Sequence, residues 1–169
     1  TVVKKMVDDS ILYLSGEKEI GNAWKAVFPS TLTAKSKIAI KINILNNRNP
    51  MPHPFSVMAI TKGLQQMEID GTKFPAANIT IYDMNNRNSM NGSGYTDARF
   101  PGIALVKDSA KVYGDGALNN RSYAKSLNEA DFLINVFSPR GHRQGSNFTI
   151  GFKSHYGTYS NPSGLHGSK

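Results

Sequence analysis

At 169 residues, with no cysteine and no unbroken apolar run of about 18 residues, the chain is long enough for one domain with its own core. The same facts exclude disulfides, thiolate nucleophiles, cysteine-held zinc or iron–sulfur clusters and a helical membrane span. The formal charge of +8 favours anionic partners, but the lysines and arginines are scattered rather than massed, which disfavours a nucleic-acid-binding arm.

In chain order, apolar residues at i, i+3 and i+4 spacing predict an amphipathic helix over residues 3–14, built on Val3, Met6, Val7, Ile11 and Leu14. Ser15-Gly16 ends it, because glycine suits a left-handed cap. A second helix is expected over 18–28, with Trp24 packed in the core and Pro29 as its stop. Residues 37–45, KIAIKINIL, form the clearest strand: Ile38, Ile40, Ile42 and Ile44 share one face, and Ala39, Lys41 and Asn43 share the other. If both faces are covered, Lys41 must have a partner, because an unpaired buried charge is costly. Pro54 opens a helix running to about Met67, and His53, just before it, has the position of a structural loop histidine.

Residues 78–84, NITIYDM, are the next strand, with Asp83 at its carboxyl end. Strand, helix and strand make a βαβ unit whose strands are parallel. Ligands of open α/β sheets bind beyond the carboxyl ends of the strands, where Asn43 and Asp83 would both stand. Residues 85–99 lack a hydrophobic period and are expected to form a surface loop. A short strand is expected over 103–107, a helix over 123–130, and a strand buried on both faces over 131–137, DFLINVF. Residues 138–158, SPRGHRQGSNFTIGFKSHYGT, then combine cationic and imidazole groups with glycines. In them Phe148, Ile150 and Phe152 alternate with Thr149, Gly151 and Lys153, as in a half-buried strand. The fold class is therefore α/β: a predominantly parallel or mixed sheet with flanking helices in three layers. Residues 1–169 form a single domain, of which 159–169 are an irregular tail.

No phosphate-cradling glycine fingerprint, G-x-S-x-G elbow or H-E-x-x-H pair is present. The chemistry instead points to an anion site. Lys41, Arg140, Arg143 and Lys153 supply cationic donors, and Gly141 and Gly145 allow close approach of backbone amides. His142 or His155 could then serve as acid or base, since an ordinary imidazole titrates near neutrality. Asp83, His142 and His155 are also candidate ligands for a divalent metal such as zinc, iron or manganese, although their spacing is not that of a metal motif. The anion reading is preferred.

The order of KIAIKIN, NITIYDM, a following GY, ADFLINVFSPRGH and GFKSHYGTYSNP, preceded by AWKAVF, resembles the domain-of-unknown-function 362 family from about residue 3 to 162. The resemblance implies an α/β protein, often exported by bacteria or archaea, whose activity is not established. Some members carry an added ferredoxin-type module, which a chain without cysteine lacks. The family's IKxN, strand-end Asp, post-strand His and FK-x-x-x-G positions fall on Lys41, Asn43, Asp83, His142, Lys153 and Gly157. Where members have KNHYG, this chain has Ser154 in place of the asparagine. Members also continue past the SGLHG region, so the resemblance implies that this chain is the N-terminal and central part of a longer domain.

These features predict an exported protein with an anion- or metal-binding site at the carboxyl edge of its sheet, acting on a small carboxylated or phosphorylated compound. Asp83 and His142 are the catalytic candidates. Lys41, Asn43, Arg140, Arg143, Lys153 and His155 are the substrate-binding candidates. A non-catalytic subunit of an extracellular assembly, contacting a protein partner or the remainder of its own domain, is the alternative; nucleic-acid binding is the second.

Overall fold

The computed structural model describes residues 1–44, 51–83, 87–107, 112–113, 122–141, 148–149 and 151–159. Its elements are α1 (Val2–Ser15), α2 (Ile20–Ala26), β1 (Ile38–Lys41), α3 (Pro54–Leu64), β2 (Glu68–Ile69), β3 (Thr72–Lys73), β4 (Ile79–Asp83) and α4 (Arg87–Gly92). They continue with β5 (Ala104–Lys107), β6 (Val112–Tyr113), β7 (Ser122–Tyr123), α5 (Lys125–Asn128), β8 (Phe132–Asn135), β9 (Arg140–Gly141), β10 (Phe148–Thr149), α6 (Gly151–Ser154) and a 3₁₀ turn, His155–Thr158.

Alternation in the isoleucine-rich strands decides the architecture. Four strands form a parallel sheet in the order β5-β4-β1-β8. Ile38, Ile40, Ile79 and Ile81 point to one face and pack with Ile11, Trp24, Val57 and Leu64 of α1, α2 and α3 and with Met67 just beyond α3. Ala39 and Tyr82 point to the other face, which Ala124, Leu127 and Ala130 cover around α5. Helices thus flank the sheet in a three-layer α/β arrangement, and the crossover from β1 through α3 joins parallel neighbours as the βαβ pattern requires.

The helix signals act as expected. Thr1 caps α1 by accepting from the Lys4 amide, and Gly16 closes it at φ 74°. His53 is the N-cap of α3: its side chain accepts from Phe55 N at 3.3 Å, and Pro54 takes the first turn. Trp24 is a core residue, 7 % exposed.

Four expectations are corrected. The alternating pattern over 148–153 is not one strand: Phe148–Thr149 pair with β9, and Gly151–Ser154 form α6. A period of two sampled over so few residues is weak evidence, and an isolated two-residue ribbon has no third strand to extend it. Residues 85–99 are not only surface loop: they contain α4 and send Met90 and Tyr95 fully into the core, with Tyr95 stacked on Phe100 at 5.6 Å. Those side chains recur at five-residue intervals, which match neither structural period. β8 is half-buried at the edge of the described sheet rather than covered on both faces, and Leu133 is 37 % exposed. The helix expected over 123–130 shrinks to α5, because Ser122–Tyr123 pair with β6.

Helix packing leaves no room at Gly63, where an added methyl would lie 1.9 Å from Trp24 Nε1 and 2.6 Å from its Cδ1. Helix propensity alone gives Gly63→Ala a gain of about 0.5–1 kcal/mol. We expect instead a loss of about 1–3 kcal/mol through overpacking. Urea unfolding followed by the fluorescence of the single tryptophan checks the sign.

Candidate functional site

The carboxyl ends of β1, β4 and β8 carry polar residues where apolar ones would be expected. Register aligns Tyr82, Lys41 and Asn135 in one row across three neighbouring strands. Because side chains of register partners share a face, this row lies on the α5 side of the sheet. The segment of α6 and the 3₁₀ turn lies over it. Asn135 Nδ2 donates to the Gly151 carbonyl at 2.8 Å, and Tyr82 Oη and Thr158 Oγ1 are 3.4 Å apart. The Ala124 amide donates to the Thr158 carbonyl at 2.8 Å, which ties the segment to α5.

Lys41 is fully buried. Its ammonium donates to Asp83 Oδ1 at 3.1 Å and to the Ile42 carbonyl, and it lies 5.8 Å from the centre of the Tyr82 ring. The other oxygen of Asp83 accepts from the Ile44 amide at 2.8 Å. Both carboxylate oxygens are therefore engaged. Asp83 follows Tyr82 by one residue and so leaves the strand with opposite parity. The lysine meets it only by reaching past the strand ends.

Burial shifts the surrounding groups in consistent directions. Removal from water lowers the pKa of Lys41 from its ordinary 10.5, with the charge and hydrogen bond of Asp83 opposing. His155 is lowered first by burial and then by the positive charge of Lys41, so its imidazole is neutral at neutral pH. Burial, followed by the negative charge of Asp83, raises the Tyr95 phenol above its ordinary 10. Its hydroxyl donates to the Pro52 carbonyl at 2.7 Å, joining the residues after β4 to those before α3.

The structure thus brings together Lys41, Asp83 and His155 from the sequence-predicted set, with half-buried Asn43 two residues beyond Lys41. Arg140 lies in β9 and Lys153 in α6, where the backbone alone is described. His142 and Arg143 lie outside the described residues. Among the described residues, no three His, Asp or Glu side chains stand close enough to hold a metal. At Asp83 the Lys41 ammonium occupies the place a cation would take. Sequence reasoning missed Tyr82, Tyr95 and Asn135. For Asn135 the signal was present: an asparagine closing an apolar strand, the same feature that singled out Asn43.

Two clefts, of about 410 and 270 Å³, lie toward the amino ends of the strands. The larger is lined by Thr31, Thr33, Lys35, Ser36, Asp131 and Phe132. The smaller runs between Lys37–Ala39 and Lys125–Ala130. Some of their ionic groups are already engaged: Asp131 accepts from the Lys37 amide, and Lys125 pairs with Glu129. Size favours these clefts, whereas buried charge and the topology of parallel sheets favour the carboxyl edge. We place the candidate site at the carboxyl edge.

The chain belongs to the family described as Domain of unknown function (DUF362), which residues 38–168 match. The match opens with β1 and excludes α1, α2 and the AWKAVF segment. It includes every candidate site residue. Comparisons with curated proteins and with solved structures gave no match. No helix among the described residues is long and apolar enough to cross a membrane.

Two consequences of the buried pair are measurable. Breaking it by Lys41→Met or Asp83→Asn alone should destabilise by about 3–5 kcal/mol, because one buried charge is left uncompensated. The double variant should lose less than the sum, and additive losses in urea unfolding would show that the pair is not coupled. The unfolded chain holds the Lys41 proton up to 10.5, whereas the folded chain releases it earlier. Lys41 therefore contributes a stability that rises with pH from its depressed pKa toward 10.5. Tyr95 acts oppositely above 10, where only the unfolded chain ionises readily. Unfolding measured through the alkaline range below pH 10 should show a rise for the wild type and a flatter profile for the double variant.

Proposed function

We propose that this protein binds a small carboxylated or phosphorylated compound at the carboxyl edge of its sheet and moves a proton on it. The observation that carries this reading is a lysine fully buried at the end of a parallel strand, held by one carboxylate and one backbone carbonyl. An ammonium has three donors. Two are engaged among the described residues, and the third is available to a ligand oxygen. In a water-poor setting that donor attracts an anion far more strongly than a surface lysine does.

Charge distribution supports the same reading. Residues 132–169 contain no aspartate or glutamate but include Arg140, Arg143 and Lys153. The α6 segment that covers the row belongs to this acid-free stretch. Roles follow from position. Lys41 holds the anion, and Asp83 holds Lys41. Neutral His155 accepts a proton from the bound compound, with His142 a second candidate for that step. Asn43 orients the compound, and Arg140, Arg143 and Lys153 add anion affinity around it. A divalent metal at Asp83 would have to displace the Lys41 ammonium, so the anion reading is favoured over the metal one.

Thermal unfolding across a panel of phosphorylated and carboxylated metabolites, with elemental analysis of the purified protein, tests the proposal. At least one anion should raise the melting temperature by about 2 °C or more in the wild type and leave the Lys41→Met/Asp83→Asn variant unmoved. The proposal is overturned by a panel without effect, by an equal response of the double variant, or by a near-stoichiometric metal.

A further inference from the structure

Beneath α6 three polar groups of different kinds are buried and unanswered. Lys41 has one ammonium N–H beyond the two that reach Asp83 and Ile42, and its side chain is fully buried. Asn135 Oδ1 has no accessible surface and no hydrogen-bond partner, and the orientation of its amide is set by the bond from Nδ2 to Gly151. Ser154 Oγ, on a residue 3 % exposed, is likewise unpartnered. Register and chain connection relate these groups. Lys41 and Asn135 are register partners, Asn135 bonds the first residue of α6, and Ser154 is its last. His155, the next residue, feels the charge of Lys41.

Buried polar groups are almost always satisfied, so a cluster of unsatisfied ones records what is to fill it. Here the cluster has a direction. The lysine can only donate, the asparagine oxygen can only accept, and the serine hydroxyl can do either. A bare carboxylate or phosphate has only acceptors in this setting. It would satisfy Lys41 and Ser154 but leave Asn135 Oδ1 facing a negative oxygen. The complement must offer an anionic oxygen and, beside it, a group that donates.

We infer that the compound bound at this edge is a hydroxylated or aminated small acid, its anionic group on Lys41 and its hydroxyl or amine on Asn135 Oδ1 and Ser154 Oγ. This rests on the anion reading above and narrows it to a ligand class. It also makes Asn135 and Ser154 the residues that set specificity, because a site whose buried acceptor would be left bare rejects an analogue that lacks the donor.

Matched pairs differing only in that donor test the inference on the intact chain: glycolate against acetate, lactate against propionate, and 2-hydroxyethyl phosphate against ethyl phosphate, by calorimetry. In at least one pair the hydroxylated member should bind ten or more times tighter, a difference of about 1.4 kcal/mol. Asn135→Leu should bring the two members of that pair to within twofold. Because this change also removes the bond to Gly151, Ser154→Ala serves as a second variant and should narrow the same ratio. If the paired acids bind alike, or if neither variant alters a ratio that is present, the inference is overturned while anion binding stands. If none of the acids binds, the inference is overturned, and the anion reading falls with it only if the metabolite panel is also without effect.

Discussion

The structure turns on one requirement: the ammonium of Lys41 must not be left alone in the interior. Removing a lysine and an aspartate from water carries a penalty of several kcal/mol for each ion, and their attraction offsets it only with good geometry and satisfied remaining valences. The surroundings supply most of those conditions. Asp83 gives one oxygen to Lys41 and the other to the Ile44 amide. The Ile42 carbonyl takes a second lysine proton. Tyr95, buried near Asp83, spends its own hydroxyl on Pro52 and so does not compete for the carboxylate. The pair joins β1 to β4 beyond the point where strand pairing ends, so register and electrostatics stabilise the same geometry.

That requirement divides the sheet into two unequal faces. The face toward the N-terminal helices is isoleucine and leucine packed to near-complete burial, and it needs nothing further. The opposite face carries Ala39 and Thr80 on its central strands and Leu133 and Val106 on its outer ones, and ends in the row of Tyr82, Lys41 and Asn135. A rigid apolar layer on one side thus supports a polar row on the other. This is the division that a preorganised site needs, since the groups that meet a ligand are anchored by ones that do not.

The sheet and its polar edge were legible in the sequence because alternation and charge are local signals. Four isoleucines at spacing two mark β1, and the interruption by Lys41 and Asn43 marks where that strand ceases to be ordinary core. Asp83 could be placed beside them because a βαβ crossover admits one handedness. Tyr95 was not legible: it reaches the site from a stretch without any period, and only the packing of Met90, Tyr95 and Phe100 gives that stretch its course. Asn135 closes an apolar strand as Asn43 does, but was overlooked because a short apolar strand reads the same at the centre and at the edge of a sheet, and β8 is at the edge of the described one. The misread alternation at Phe148 and Phe152 has the same origin, since three apolar residues at spacing two fit a strand and also fit a turn into a helix.

The basic, glycine-rich residues 138–158 are the most conspicuous chemistry in the sequence, yet the described part of them is a cover rather than the foundation. Their contacts with the sheet run through backbone carbonyls and neutral side chains: Gly151 to Asn135, Thr158 to Tyr82 and to the Ala124 amide. The buried charge is supplied by strands β1 and β4, far earlier in the chain. On the β1–β4 side of Lys41 both oxygens of Asp83 are engaged within the protein, whereas Asn135 Oδ1 and Ser154 Oγ, in β8 and α6, are unsatisfied, as are Asp8 Oδ1, Trp24 Nε1 and Ser93 Oγ elsewhere among the described residues. A fold selected for stability alone would have closed that junction with apolar side chains. An asparagine and a serine there, beside a lysine already held in place, favour the seam between the sheet and its cover as the candidate site.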